Sequence, residues 1–264
     1  MRGLQTPVRA IRRQVFTEVA KLGFKANAET LVADMEAIPY EIVGEDSEVK
    51  YRESIYRARA VVRERLRLAM GLSLRPENKP VHLTAGVEAS NISEKYYEPP
   101  LMQVIPSGCE SCEENKYEVS NMCKGCLAHP CQEVCPRGAI SMVNGKSFID
   151  QDKCIKCGKC KSVCPYDAIA KKERPCKKAC GVNAITSDKL GRAYIDADKC
   201  VSCGMCMVSC PFGAISDKSQ IFQLARALSE GEEIVAEVAP AFVGQFGSNI
   251  NVRNFKAALE ELGF

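Results

Sequence analysis

The run Cys-x-x-Cys-x-x-Cys-x-x-x-Cys-Pro occurs twice in this chain, at Cys154, Cys157, Cys160, Cys164 and Pro165 and again at Cys200, Cys203, Cys206, Cys210 and Pro211. Three thiolates two residues apart can face one cuboidal 4Fe–4S cluster from a single loop, while the fourth, before proline, reaches a neighbouring cluster. The chemistry such a site offers is one-electron transfer. A third run, Cys123, Cys126, Cys131, Cys135 and Pro136, has four residues instead of two between its second and third cysteines. Gly158 and Gly204 are small residues of the kind that tight wrapping favours. The prolines end each run by fixing their own backbone and removing a donor.

The spacing matches that of bacterial two-cluster ferredoxins. On that pattern the ligands cross: Cys154, Cys157 and Cys160 share a cluster with Cys135, and Cys123, Cys126 and Cys131 share one with Cys164. A zinc-binding structural module is the alternative, but four ligands suffice for structural zinc, which leaves the third cysteine, the proline and the repeat without a purpose.

The repeat extends beyond the ligands. Cys-x-x-x-Ala-Ile recurs at Cys135–Ile140, Cys164–Ile169, Cys180–Ile185 and Cys210–Ile215, and Ile149–Cys154 resembles Ile195–Cys200, at offsets of 45 or 46 residues. Two related units in tandem are therefore expected. In the first, Ala139–Val143 and Lys146–Asp150 read as strands around the hairpin signal Asn144-Gly145. In the second, Ala184–Ser187 and Arg192–Asp196 flank a looser turn containing Gly191. The second unit is incomplete, because Cys200, Cys203 and Cys206 take Cys180 but the partner half keeps only Cys176 and Cys180. Cys109 and Cys112 can supply the two missing thiolates, so that Cys109, Cys112, Cys176 and Cys210 hold a fourth cluster. The alternative is three clusters, with Cys109 and Cys112 free or on zinc.

The elements that must position these loops are helices and a connector. Residues 1–75 read as a helical N-terminal region, with Val8, Ile11, Val15, Val19 and Leu22 at helical spacing and Gly23 as terminator, then Ala28–Ile38 before Pro39, then Glu48–Met70. Residues 76–108 read as an extended connector, 109–218 as the tandem cluster region, and 219–264 as a helix, a strand at Glu233–Val238 and an amphipathic helix carrying Val252, Phe255, Ala258 and Leu259. Arg52, Arg57, Arg59, Arg63, Arg65 and Arg67 read as a solvated helix face. Of the two histidines, His129 reads as a loop residue, able at most to tune a cluster, and His82 as structural in a strand-like stretch, Pro80–Thr84. Lys153, Lys156, Lys159 and Lys161 surround the second run, as surface lysines or as a means of steering an acidic redox partner.

Composition bounds the rest. A net charge of +3 is too balanced to argue for nucleic acid, and the chain has no apolar run of the ~18 residues that span a bilayer. With no cleavable leader after Met1, sixteen cysteines read as reduced thiols in a cytoplasmic protein rather than a disulfide scaffold.

Beyond these motifs, Glu233-Ile-Val-Ala-Glu-Val-Ala-Pro-Ala-Phe-Val-Gly-Gln-Phe-Gly247 followed by a helix ending Leu262-Gly263-Phe264 resembles the N-terminal half of monomeric iron-only (FeFe) hydrogenases of anaerobic bacteria. The resemblance implies an α+β fold of helical region, tandem ferredoxin-like 2×(4Fe–4S) modules and the start of an α/β hydrogenase catalytic domain. It also implies relay of electrons between ferredoxin, or a similar carrier, and a six-iron H-cluster. The H-cluster motifs do not occur here, and all cysteines lie at or before Cys210. The expectation is a truncated sequence that binds no H-cluster, has no catalytic residues and does not turn over hydrogen by itself. The competing expectation is a stand-alone polyferredoxin-type electron-transfer subunit that docks to a separate catalytic subunit.

Overall fold

The computed structural model describes residues 4–25, 27, 29–45, 52–91, 99–247 and 249–264. Expectations on residues 1–3, Ala28, Glu48–Tyr51 and 94–98 lie outside them. In chain order the helices are α1 (Pro7–Lys25), α2 (Leu31–Ile42), α3 (Ile55–Ala69), α4 (Val87–Ser90), α5 (Pro130–Glu133), α6 (Lys159–Ser162), α7 (Pro175–Lys178), α8 (Met205–Ser209), α9 (Ile221–Glu230) and α10 (Val252–Leu262). The strands are β1 (Met102–Val104), β2 (Lys116–Val119), β3 (Ile140–Val143), β4 (Lys146–Ile149), β5 (Ile169–Lys172), β6 (Ile185–Ser187), β7 (Ala193–Ile195) and β8 (Ile215–Asp217). All pairings are antiparallel and two-stranded: β1 with β8, β2 with β5, β3 with β4 and β6 with β7.

The chain forms two compact units, Met1–Gly108 with Ser202–Phe264, and Cys109–Val201. In the first, Ile11, Val15, Val19 and Leu22 of α1 meet Met35 and Ile38 of α2, Val62 and Leu66 of α3 and Phe222 of α9 in one buried cluster. Three-to-four-residue spacing on each helix puts these apolar side chains on one face. Leu66 is fully buried, so Leu66→Ala is expected to cost about 2–5 kcal/mol through lost transfer energy and a residual cavity. A lowered urea midpoint of the cluster-loaded protein checks this, and an unchanged midpoint would contradict it.

Several helix signals act differently from their sequence expectation. Gly23 does not end α1, which runs on to Lys25. A Cβ at Gly23 would fall 2.7 Å from both the Ala225 Cβ and the Phe222 carbonyl, so this glycine lets α1 and α9 pack closely. Pro39 lies inside α2 rather than beyond it, and its carbonyl accepts the capping N–H of Val43. In α3 the arginines are not a solvated face. Arg65 and Arg67 are buried at 3% and 6% exposure, and Arg67 donates to the carbonyls of Ser73, Leu83 and Ala85. Arg59 reaches the Val43 carbonyl and lies over the Tyr40 ring, while Arg63 donates to the Tyr40 hydroxyl. Arg57 and Arg65 donate to the carbonyls of Ser107 and Gly213. These side chains hold the loops that cross α3, because a planar guanidinium can serve several carbonyls at once.

The 76–108 stretch is not wholly extended: it contains α4 and β1, and Pro80–Thr84 runs into a turn in which the His82 carbonyl accepts from Ala85. Glu233–Val238 forms no strand, and Val235 is 88% exposed. A strand needs a partner for its ladder, and these residues have none among the described ones. In the second unit, both expected hairpins are present, as β3–β4 around Asn144-Gly145 and as β6–β7. Tyr117, Ile140, Ile149 and Ile169 form a small core there with Cys131 and Cys160.

Candidate metal centres

Two cavities in the second unit are each walled by four cysteines. One, of about 350 Å³ counted out to open solvent, is lined by Cys135, Cys154, Cys157 and Cys160 with Tyr117, Ile140 and Ile149 around them. The other, of similar volume, is lined by Cys123, Cys126, Cys131 and Cys164 with Val119, Ala168 and Ile169. These are the two crossed sets expected from the ligand runs. Neither wall includes a carboxylate or an imidazole, and each includes a basic side chain, Arg137 and Lys159 in the first and Lys124 in the second. Four thiolates around an apolar space with cationic neighbours suit an anionic iron–sulfur cluster. Among the described residues no three His, Cys, Asp or Glu side chains converge closely enough to hold a single metal ion.

The loops repeat one backbone device. In the Cys-x-x-Cys that opens each of the four ligand loops the third residue is left-handed, with φ of 58° at Gly125, 58° at Lys156, 54° at Ser202 and 47° at Ser111. The residue before each repeated Ala is left-handed too, at Gly138, Asp167, Asn183 and Gly213. Gly, Asp and Asn tolerate that region best, which accounts for the residue types there. The turn then aims the Ala N–H back at sulfur: Ala139 donates to Cys135 Sγ at 3.3 Å, Ala168 to Cys164 at 3.4 Å and Ala184 to Cys180 at 3.3 Å. The Ala and Ile of each repeat are buried and each Ile opens a strand, so Cys-x-x-x-Ala-Ile combines a turn with the first residue of a strand and, in these three repeats, a donor to sulfur.

Two further sulfurs receive a hairpin amide. Ser147 N–H donates to Cys123 Sγ at 3.4 Å, and Ala193 N–H to Cys109 Sγ at 3.4 Å. Ser147 and Ala193 are equivalent under the 46-residue offset, so Cys109 stands toward β7 as Cys123 stands toward β4. The Ser147 amide holds the Cys123 thiol below its usual range, while burial pushes the Cys160 thiol up.

Gly158 and Gly204 are left-handed N-caps of α6 and α8, and a Cβ on Gly158 would fall 2.5 Å from the Tyr117 hydroxyl. Gly108, just before Cys109, is held against the last repeat: Arg52 donates at 2.6 Å to the carbonyls of both Gly108 and Phe212. The third run is divided between the units, Cys200 with Cys109, Cys112, Cys176 and Cys180 in one, and Cys203, Cys206 and Cys210 in the other. His129 is the left-handed residue before α5 and makes no side-chain capping bond, and Lys153, Lys156, Lys159 and Lys161 are all exposed.

The sequence reading missed Tyr117, Ser147, Gly125 and Ser111. Gly125 and Ser111 were visible as the third residues of Cys-x-x-Cys; Tyr117 and Ser147 act across strand pairs that no local signal announces.

Comparison with known proteins bears directly on this donor set. The family model described as a 4Fe-4S binding domain matches residues 148–170 and 193–216, which carry the second and third ligand runs. The chain carries multiple 4Fe–4S clusters. It is 32% identical to an uncharacterized ferredoxin of Methanocaldococcus jannaschii over 30% of this chain and 63% of that protein. It is 39% identical to a Proteus vulgaris protein named as a probable iron-sulfur subunit of the Frd operon, over 26% of this chain and 44% of the relative. With the electron transport protein HydN of Escherichia coli K12 the figures are 41%, 21% and 32%. Each match spans less than two thirds of the relative. No helix among the described residues is long and apolar enough to cross a membrane.

Proposed function

We propose that the chain is a four-cluster relay for single electrons, with ligand sets Cys123/Cys126/Cys131/Cys164, Cys135/Cys154/Cys157/Cys160, Cys180/Cys200/Cys203/Cys206 and Cys109/Cys112/Cys176/Cys210. The observation that carries it is the left-handed third residue shared by the opening Cys-x-x-Cys of all four ligand loops, Ser111 included. A 4Fe–4S cluster, when bound, accepts and returns one electron at a time. The chain's own part is to hold the sulfurs, cover them with isoleucine and tyrosine, and aim amide N–H groups at them. Such hydrogen bonds favour the more negative, reduced state and so raise the potential.

The relay runs, in this proposal, between a ferredoxin-like carrier and a catalytic portion or partner, in the cytoplasm of an anaerobe. The resemblance to FeFe hydrogenases would make that catalytic portion an H-cluster domain. The relatives named for electron transport and as a probable iron-sulfur component favour the second reading, in which the chain serves another oxidoreductase.

Anaerobic purification followed by iron, sulfide and zinc analysis tests the cluster assignment. About sixteen iron atoms with equal acid-labile sulfide are expected for four clusters; zinc without sulfide would refute it.

A further inference from the structure

In the first module, β2 pairs with β5 and leads into the Cys123–Cys126 loop; in the second, β1 pairs with β8 and precedes the Cys109–Cys112 loop in the chain. Residues 109–114 themselves join no strand. The Ala193 amide on Cys109 Sγ and one buried side chain tie them to the β6–β7 hairpin. Arg174, whose side chain is 3% exposed, donates to the Cys112 carbonyl from Nε at 3.1 Å and from Nη2 at 2.9 Å. The same guanidinium donates to the Gly191 carbonyl at 2.7 Å and to Ser187 Oγ at 3.2 Å, both in the β6–β7 hairpin. Glu114 closes the arrangement, pairing with Arg174 at 3.0 Å and accepting from Ser187 Oγ at 2.8 Å. The 45-residue offset aligns Arg174 with His129, which has no such duty.

We infer that Arg174 is the positioning residue for the fourth cluster, fastening the Cys109–Cys112 loop to the β6–β7 hairpin and setting a fixed positive charge beside that cluster. This rests on the four-cluster relay proposed above. Three features support it. Arg174 bonds the carbonyl of one ligand and lies two residues before another, Cys176. Its fork spans two separate segments, which a lysine ammonium cannot reproduce with the same planar geometry. A buried guanidinium that lost these acceptors would be strongly unfavourable, so the loop and the hairpin stay together. The held charge also favours the more negative, reduced form of a neighbouring cluster and so raises its potential.

The test uses the full chain, reconstituted with iron and sulfide under argon, as wild type, Arg174→Gln, Arg174→Lys and the double variant Cys109→Ser with Cys112→Ser. Iron content is read with a dithionite redox titration followed by electron paramagnetic resonance. Arg174→Gln is expected either to drop from about sixteen irons to about twelve or to keep the fourth cluster at a lower potential, with the other three signals unmoved. Arg174→Lys keeps the charge but not the fork, and is expected to hold the wild-type potential at reduced occupancy. Full iron and an unshifted fourth signal in Arg174→Gln would overturn the inference. If Arg174→Gln loses every cluster, Arg174→Lys decides: a deficit confined to the fourth signal supports the inference, and wild-type behaviour overturns it. If the double cysteine variant keeps all its iron, the four-cluster proposal itself fails. If it loses about four irons while Arg174→Gln is unaffected, only the role of Arg174 fails.

Discussion

Replacing Cys109 and Cys112 together with serine is expected to take the chain from about sixteen iron atoms to about twelve, with a matching loss of sulfide. The size of the effect follows from cluster chemistry, since a cuboidal cluster deprived of two of four thiolates is not retained. The locality follows from the loop. Cys109 accepts the Ala193 amide as Cys123 accepts the Ser147 amide, and Ser111 repeats the left-handed turn of Gly125. The cavities walled by Cys135/Cys154/Cys157/Cys160 and Cys123/Cys126/Cys131/Cys164 contain neither residue, so their clusters stay. Were these cysteines free thiols, the double variant would keep all its iron.

Gly125→Ala is expected to have an effect of similar size for a different reason. Left-handed backbone alone costs a residue with a Cβ about 1–2 kcal/mol, and Lys156, Ser202 and Ser111 tolerate it at the same place. At Gly125, however, an added Cβ would stand 2.1 Å from the Gly145 carbonyl oxygen. That oxygen belongs to the backbone of the turn between β3 and β4, so no side chain can swing away. Either the loop or the hairpin must move, and the hairpin also supplies the Ser147 donor to Cys123. The cluster assigned to Cys123, Cys126, Cys131 and Cys164 is therefore expected to be lost, removing about four irons. Gly138→Ala is the control, because Gly138 has φ of 56° but no atom within 4 Å of an added Cβ. It is expected to keep full iron at a stability cost of about 1–2 kcal/mol. Equal iron content in the two variants would show that the contact with Gly145 does not matter.

The parts of this molecule legible in its sequence are those set by local chemistry. Cysteine spacing, the Asn144-Gly145 hairpin and the apolar stripe of α1 act within a few residues, and each appears where expected. The pairings of β1 with β8 and β2 with β5 join strands of three or four residues far apart in the chain, too short to carry an alternating pattern. The arginines of α3 looked solvated because helical spacing says nothing about carbonyls arriving from residues 107 and 213. Gly23 looked like a terminator because its close neighbours lie some 200 residues away in α9. Glu233–Val238 has the β-branched composition of a strand, but composition supplies no partner.

The cysteine repeat stands between these cases. Cys-x-x-x-Ala-Ile was visible as a pattern, while its cause, a left-handed turn that returns an amide to sulfur, became visible only in three dimensions. The same holds for Cys109 and Cys112, whose spacing offered two ligands and whose loop geometry gives them the form of the others.

The most direct test is a spin count. The reconstituted chain would be reduced fully under argon and its electron paramagnetic resonance integrated against a standard and compared with its iron content. Four clusters, each reduced by one electron, predict about four spins and about sixteen irons per chain. About three spins with about twelve irons, in a sample that takes up no more iron, would leave Cys109 and Cys112 without a cluster and contradict the account.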